Sequence, residues 1–168
     1  MPASDRPVAA RSFRAMGCGA RTLVVGTPHL ADGVVPRVEQ LESRWSRFRP
    51  ASELCRLNRA AGTGPQRVSA DTYRLVERSL LAWRQTEGLF DPTVLTALVR
   101  AGYDRTFDEV AGRVPAPVVE LVGAPASPRG QQERAAAPAP GCDGIVLDDA
   151  ARTVALPAGV GLDPGGIG

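Results

Sequence analysis

The chain has 168 residues, of which 43% are hydrophobic and 5% aromatic, and a formal net charge of +2 from 20 basic and 18 acidic side chains. This length suits one domain or a piece of a larger one, and the hydrophobic fraction can support a core. The basic residues are spread along the chain, which argues against a nucleic-acid partner. No run approaches the ~18 apolar residues that span a bilayer, so no transmembrane segment is expected.

The N-terminus and the cysteines exclude further classes of protein. Residues 1–12 predict a disordered lead-in, and they contain neither a signal peptide nor a lipobox, so the chain as written is expected in the cytoplasm. Cys18, Cys55 and Cys142 are far apart in the sequence and form no CxxC motif. This spacing favours buried free thiols over a zinc site or a disulfide framework.

The first half of the chain predicts one strand followed by helices. A β-branched run at residues 21–26 is typical of a strand. Apolar residues then recur at helical spacing over residues 34–45, which predicts an amphipathic helix. A short helical turn at residues 52–58 follows, and a longer helix runs from an N-cap at Ser69 to about residue 85.

The second half predicts one more helix and then strands. Asp91 and Pro92 predict a helix start, with the acid as N-cap and the proline at the first helical position. A proline- and alanine-rich stretch at about 112–141 predicts a long surface excursion. Strands at residues 144–148 and 152–156 predict a hairpin, and another strand starts at residue 160. The sum is an α+β pattern in which the strands cluster late.

Three segments can carry chemistry, and each also has a purely structural explanation. At residues 162–168 an acid precedes glycines, which lets the backbone approach a phosphate or a ribose, yet the same residues also suit a tight turn. Phe90 and Asp91 stand at a helix start where an anion or a ring can dock, although Asp91 needs only its N-cap role. Phe48 can stack on a flat ligand or be core. The arginines around it, Arg44, Arg47 and Arg49, are expected to form a solvated helix end.

Taken together and in order, these segments resemble the FAD:protein FMN transferase family, often called ApbE. The resemblance is carried by Phe13-Arg14-Ala15-Met16-Gly17, Trp45-Ser46-Arg47-Phe48 with residues 52–58, Gly88-Leu89-Phe90-Asp91-Pro92-Thr93, Gly102-Tyr103-Asp104, and Gly161-Leu162-Asp163-Pro164-Gly165-Gly166-Ile167-Gly168. It covers nearly all of residues 13–168, with the excursion as the variable part. It implies an α+β fold, namely an incomplete ApbE-like (T-fold-like) domain with early helices packed on a mostly antiparallel sheet.

The resemblance also implies an activity and a site. The activity is magnesium-dependent cleavage of FAD at its pyrophosphate and transfer of FMN to a threonine hydroxyl of an acceptor flavoprotein. The main-chain oxygen of Gly166 is implied as a Mg²⁺ ligand. The implied FAD contacts are Met16, Phe48, Leu89, Phe90, Asp91 and Asp163.

The sequence departs from the family pattern at three of these motifs. Cys18 stands for the usual threonine, and Phe48 stands where a tyrosine is common. Pro164 replaces the usual leucine, which removes an amide donor beside the implied metal ligand.

The resemblance implies that relatives continue past Gly168 with a lysine, a helix and, much later, the metal carboxylates. The chain is therefore expected to be an N-terminal portion of a transferase, inactive by itself, since Mg²⁺ requires near-octahedral oxygen coordination. Its catalytic residues are expected in the C-terminal part, and its open late sheet edge predicts poor solubility. The alternative is a non-catalytic flavin-binding or remnant protein that ends at Gly168.

Overall fold

The computed structural model describes residues 6–104 and 141–165, and these residues form five strands and four helices. The strands are β1 Val8–Ala15, β2 Cys18–Val25, β3 Gln66–Arg67, β4 Val146–Asp148 and β5 Thr153–Ala155. The helices are α1 Leu30–Trp45, α2 Glu53–Arg59, α3 Ala70–Gln85 and α4 Leu95–Arg100. One antiparallel sheet contains β1 and β2, and the other has the antiparallel order β3-β5-β4. The predicted α+β class with antiparallel sheets is confirmed.

The chain begins with a long hairpin that turns at Met16 and Gly17. Both residues have positive φ, 52° and 78°, which glycine adopts freely and methionine only at a cost. The β1–β2 register runs without interruption from the Val8–Val25 pair to the turn. The predicted disordered lead-in is therefore wrong for residues 8–12, because pairing with β2 gives their backbone groups partners that local composition does not reveal. Residues 1–5 lie outside the described residues.

Helix α1 is joined to both the hairpin and α3. Arg11 of β1 contacts Asp32 of α1 at 2.5 Å. On the other side, Asp71 of α3 accepts hydrogen bonds from Arg37 and Arg44 of α1. At the hairpin turn, the Met16 amide donates to Glu42, which lies near the C-terminal end of α1.

The helices α2 and α3 start at side-chain caps. The Ser52 hydroxyl accepts from the amide of Cys55, and the Ser69 hydroxyl accepts from the amide of Thr72. Glu53 then accepts from both the amide and the hydroxyl of Ser69, which ties the two helix starts together. The predicted N-cap at Ser69 is confirmed.

The main core lies between α2, α3, β5 and the extended segment that follows β5. Its buried members are Leu54, Leu57, Tyr73, Val76, Leu80, Cys142, Val154, Leu156 and Leu162. The β4–β5 hairpin was predicted from the sequence and forms one wall of this core. Because Leu162 is part of the core, the residue after it is held at a fixed place relative to α2 and α3.

Two predicted elements are wrong. The helix predicted to start at Asp91 is α4, which starts at Leu95, because the Asp91 carboxylate accepts from the amide and hydroxyl of Thr93 and stabilises a turn there. The segment from residue 160 is extended but joins no sheet among the described residues, since Asn58 and Pro92 supply partners for its backbone. The predicted excursion, apart from residue 141, lies outside the described residues.

The cysteines differ from one another in exposure. Cys142 is buried, Cys55 is half-buried and Cys18 is exposed in β2 beside the hairpin turn, so the expectation of three buried thiols is wrong for Cys18. Burial, followed by the charges of Asp91 and Asp143, raises the pKa of Cys142 from its ordinary value of 9.0 to about 11. Within the described residues, no helix has the length and apolar character to cross a membrane.

We expect the folded protein to react with a thiol reagent at pH 8 first at Cys18, while Cys142 reacts only after unfolding, because only a thiolate is an efficient nucleophile. The favourable contribution of the neutral Cys142 thiol to folding is fully present below pH 9 and is lost as the pH rises to about 11. Mass spectrometry of the alkylated native and denatured protein measures both sites. A Cys18→Ser variant serves as the control, and labelling of Cys142 as fast as Cys18 in the native state would contradict the prediction.

Candidate functional site

The centre of the candidate site is an ion pair between Arg47, just after α1, and Asp163, just after the core residue Leu162. The Arg47 Nε atom lies 3.1 Å from Asp163 Oδ2, and the two side chains are only 8% and 13% exposed. The prediction that Arg47 belongs to a solvated helix end is therefore wrong. The charge of Arg47 can be buried because the extended segment after β5 places the Asp163 carboxylate next to it.

Two aromatic rings lie against the Arg47 guanidinium. Its Cζ atom is 4.3 Å from the centroid of the Phe48 ring and 4.2 Å from that of the Tyr103 ring. The rings meet edge to face, with centroids 6.1 Å apart and planes at 74°. Arg47 Nη1 also donates to the main-chain oxygen of Tyr103 at 2.8 Å. Cation–π contacts of this kind are worth roughly 0.5–2 kcal/mol each, so Arg47 holds both rings against its guanidinium.

The backbone on both sides of Asp163 is fixed by hydrogen bonds. The Asn58 side chain of α2 accepts from the amide of Leu162 at 2.8 Å and donates to its carbonyl oxygen at 2.9 Å. The Asp163 amide donates to the carbonyl oxygen of Pro92 at 2.7 Å. Asp163 Oδ1 accepts from the amide of Gly165 at 3.2 Å. Asp163 is thus held by α2, by the turn before α4 and by its own glycine loop.

The segment from residue 89 to 93 lies beside Asp163 through Pro92. Asp91 Oδ1 accepts from the Thr93 hydroxyl at 2.6 Å, and that hydroxyl accepts from the amide of Gly141 at 3.0 Å. The amide of Phe90 donates to the Thr86 hydroxyl, and the Phe90 side chain is half-buried. Leu89 is 94% exposed. This segment therefore has one exposed apolar side chain, that of Leu89, next to a turn that Asp91 stabilises.

Met16 joins the site through Glu42 of α1. The Met16 amide donates to Glu42 Oε2 at 3.0 Å, and Arg49 Nη2 donates to Glu42 Oε1 at 2.9 Å. Met16 is 43% exposed and lines an open cavity of about 430 Å³, with Arg14, Ala15, Gly17, Glu39, Glu42 and Arg49 as its other walls. One carboxylate therefore connects the hairpin turn to the segment that carries Phe48.

The structure brings some of the sequence-predicted residues together and adds others. Phe48 and Asp163 meet at Arg47, and Asp91 is one residue from the backbone contact of Asp163. Met16 is connected to the segment that carries Phe48 through Glu42 and Arg49, and Gly166 lies outside the described residues. Whether these residues bind FAD stays a prediction.

Sequence reasoning missed the roles of Arg47, Glu42 and Asn58. Asn58 lies within residues 52–58, which carry part of the family resemblance, so the resemblance was a usable signal for it. Arg47 also lay in one of these motifs, but its burial was not indicated, because an arginine after a helix is usually solvated. Tyr103 also stood in a quoted motif, but nothing in the sequence indicated that its ring contacts Arg47.

No metal centre is formed by the part of the chain that the structure describes. Residues 6–104 and 141–165 contain no group of three or more His, Cys, Asp or Glu side chains placed to hold a metal ion. The acids nearest the site are already engaged, Asp163 by Arg47 and Asp91 by Thr93. The described residues therefore do not fit a magnesium ion by themselves.

Comparison with known proteins gives one family match and several fold matches. The model of the ApbE family matches residues 16–168. The ApbE protein of Thermotoga maritima MSB8 aligns with a TM-score of 0.69 and 21% identity, over 96% of this chain and 48% of that one. The apo flavinyl transferase ApbE of Pseudomonas stutzeri gives 0.67 and 17%, over 98% and 52%. The flavin transferase ApbE of Vibrio cholerae gives 0.63 and 20%, over 95% and 48%.

These three structural matches establish the shared fold, since their identities are low. The chain spans about half the length of each of these solved proteins. No curated protein sequence matches the chain significantly.

We expect Asn58→Ala to lower the free energy of unfolding by about 1–3 kcal/mol, because it leaves the buried amide and carbonyl of Leu162 without their partners. Urea unfolding measures the loss, and hydrogen exchange at the amides of Leu162 and Asp163 should become faster. The control is Gln66→Ala, which removes another side-chain amide with weaker surface hydrogen bonds. Equal stability of the two variants would contradict the prediction.

Proposed function

This chain belongs to the ApbE family, and we propose that it carries the flavin-nucleotide-binding side of an FAD:protein FMN transferase. In the proposed reaction a P–O bond of the FAD pyrophosphate breaks, and the FMN phosphorus bonds to a threonine hydroxyl oxygen of an acceptor flavoprotein. AMP leaves, and the hydroxyl proton is released.

The observation that carries the proposal is the Arg47–Asp163 pair with the Phe48 and Tyr103 rings around it. A half-buried aromatic ring can stack on a flat ligand, and a carboxylate beside it can accept from a ring N–H or a ribose hydroxyl. The carboxylate lies at the end of a core-anchored segment, because Leu162 before it is buried and hydrogen-bonded to Asn58. The proposed ligand contacts remain Met16, Phe48, Leu89, Phe90, Asp91 and Asp163.

We also propose that the reaction depends on Mg²⁺, with the main-chain oxygen of Gly166 as a ligand. The described residues supply no carboxylate cluster for that ion, and Mg²⁺ prefers six oxygens in an octahedron. The remaining ligands are therefore proposed to come from a sequence of the kind found in the other half of the solved relatives.

A second candidate function is flavin-nucleotide binding without turnover. The absence of a carboxylate cluster from residues 6–104 and 141–165 favours it, since the binding contacts do not require a metal. The coding DNA after Gly168 separates the two candidates. A frame that continues with a lysine favours the transferase, and a stop codon favours the binding protein.

We expect the 168-residue chain to bind FAD and Phe48→Leu to weaken that binding by about 3- to 10-fold, because a ring that can stack is lost while a similar volume is kept. Quenching of the flavin fluorescence during titration measures the affinity. Phe13→Leu, which changes a half-buried ring in β1, is the control and should bind like the unaltered protein. Lack of FAD binding by the unaltered chain would overturn the proposed function, whereas unchanged binding by Phe48→Leu would remove only this contact.

We expect the same chain, with FAD, Mg²⁺ and a threonine-bearing acceptor flavoprotein, to release no AMP or FMN. We also expect EDTA to leave its affinity for FAD unchanged, because the described residues do not form a magnesium site. Chromatography of the nucleotides after incubation measures turnover. Magnesium-dependent release of AMP by residues 1–168 would show that the chain holds a complete site.

A further inference from the structure

Arg47 has one donor group that the described residues do not use. Its Nε atom lies 3.1 Å from Asp163 Oδ2 in the ion pair, and its Nη1 atom donates to the main-chain oxygen of Tyr103. Its Nη2 atom is buried and has no hydrogen-bond partner within the described ranges. A buried donor without a partner is costly, and this one belongs to a side chain that is only 8% exposed at the centre of the candidate site.

The groups around Nη2 do not meet its requirement. The rings of Phe48 and Tyr103 lie against the guanidinium and offer it their faces. Ring faces attract the charge but are poor acceptors for a directed N–H bond. Residues 6–104 and 141–165 therefore supply no acceptor for Nη2, and an acceptor atom of a ligand would satisfy it.

The charge of the pair limits the kind of acceptor. Arg47 and Asp163 together are neutral at pH 7, so the pair has no net attraction for a phosphate group, and its carboxylate repels one. What the pair presents is an N–H donor beside a carboxylate acceptor. The matching ligand edge is uncharged and carries an acceptor atom next to an N–H donor.

We propose that Arg47 contacts the substrate directly, with Nη2 donating to a heteroaromatic ring edge whose neighbouring N–H donates to Asp163. This inference rests on the proposed function, because both the adenine and the isoalloxazine of FAD carry such an edge. Nη2 is buried with both rings against the guanidinium, so this contact requires the Phe48 or Tyr103 ring to move away from Nη2. Arginine is required, since lysine keeps the charge but lacks the fork that serves Asp163, Tyr103 and the ligand at once.

The test measures binding of AMP and of FMN separately to the full chain, to Arg47→Lys and to Arg56→Lys. Arg56 is a matched control, because it is an exposed arginine whose Nη1 likewise donates to a main-chain oxygen, that of Ala51. We expect Arg47→Lys to weaken binding of one of the two probes by about 10- to 100-fold, as for a lost hydrogen bond to a charged group. The probe that is affected identifies the ring, and Arg56→Lys should bind both probes normally.

Two results would overturn the inference and leave the proposed function intact. One is normal binding of both probes by Arg47→Lys. The other is that the nitrogen NMR signals of the Arg47 Nη groups in the unaltered chain do not change at saturating FAD. This measurement needs no variant, so it applies even if Arg47→Lys does not fold. Slowed rotation of the guanidinium and a shifted Nη2 signal would support it. If the unaltered chain binds none of AMP, FMN and FAD, the proposed function itself fails.

Discussion

The fold places a positive charge where water hardly reaches it, and much of the candidate site is arranged around that charge. An arginine that is 8% exposed must find a counter-charge and acceptors inside the protein, or its burial is strongly unfavourable. Asp163 supplies the counter-charge, Tyr103 supplies a carbonyl oxygen, and two rings supply their faces. The elements that carry these groups are therefore constrained relative to one another by one guanidinium.

This constraint makes the site a product of distant parts of the chain. Asn58 and Leu162 are separated by 104 positions, yet two hydrogen bonds join them and set where Asp163 lies. Closing such a loop has an entropic cost before the contact is gained. The packing of Leu162 against the other core residues offsets that entropic cost, so the site forms only together with the core. A binding site with these contacts cannot exist on either segment alone.

The sequence predicted those parts of the fold that depend on local pattern. Helix α3 with its Ser69 cap, helix α1 and the β4–β5 hairpin all follow from periodicity, caps and turns. The sequence did not predict the structure of segments whose hydrogen-bond partners lie far away in the chain. Residues 8–12 are a strand because β2 pairs with them, and residues 160–163 are not a ladder strand because Asn58 and Pro92 take their backbone groups. The ordered motifs located Phe48 and Asp163, but the burial of Arg47 depends on a contact across more than a hundred residues.

The contacts of the Asp163 carboxylate indicate whether this acid suits ligand recognition or metal binding. One of its oxygens faces Arg47, and the other accepts from the Gly165 amide. The Asp163 carboxylate still has lone pairs that can accept from a ring N–H or a hydroxyl. A divalent metal ion bound to the same carboxylate would lie close to the Arg47 guanidinium, and the two positive charges would repel each other. The same guanidinium that makes burial of Asp163 possible thus favours a role in recognising the nucleotide over a role as a metal ligand. Under the proposed function, this part of the fold would bind and orient the nucleotide, and the carboxylates that hold the ion would be ones without an arginine partner.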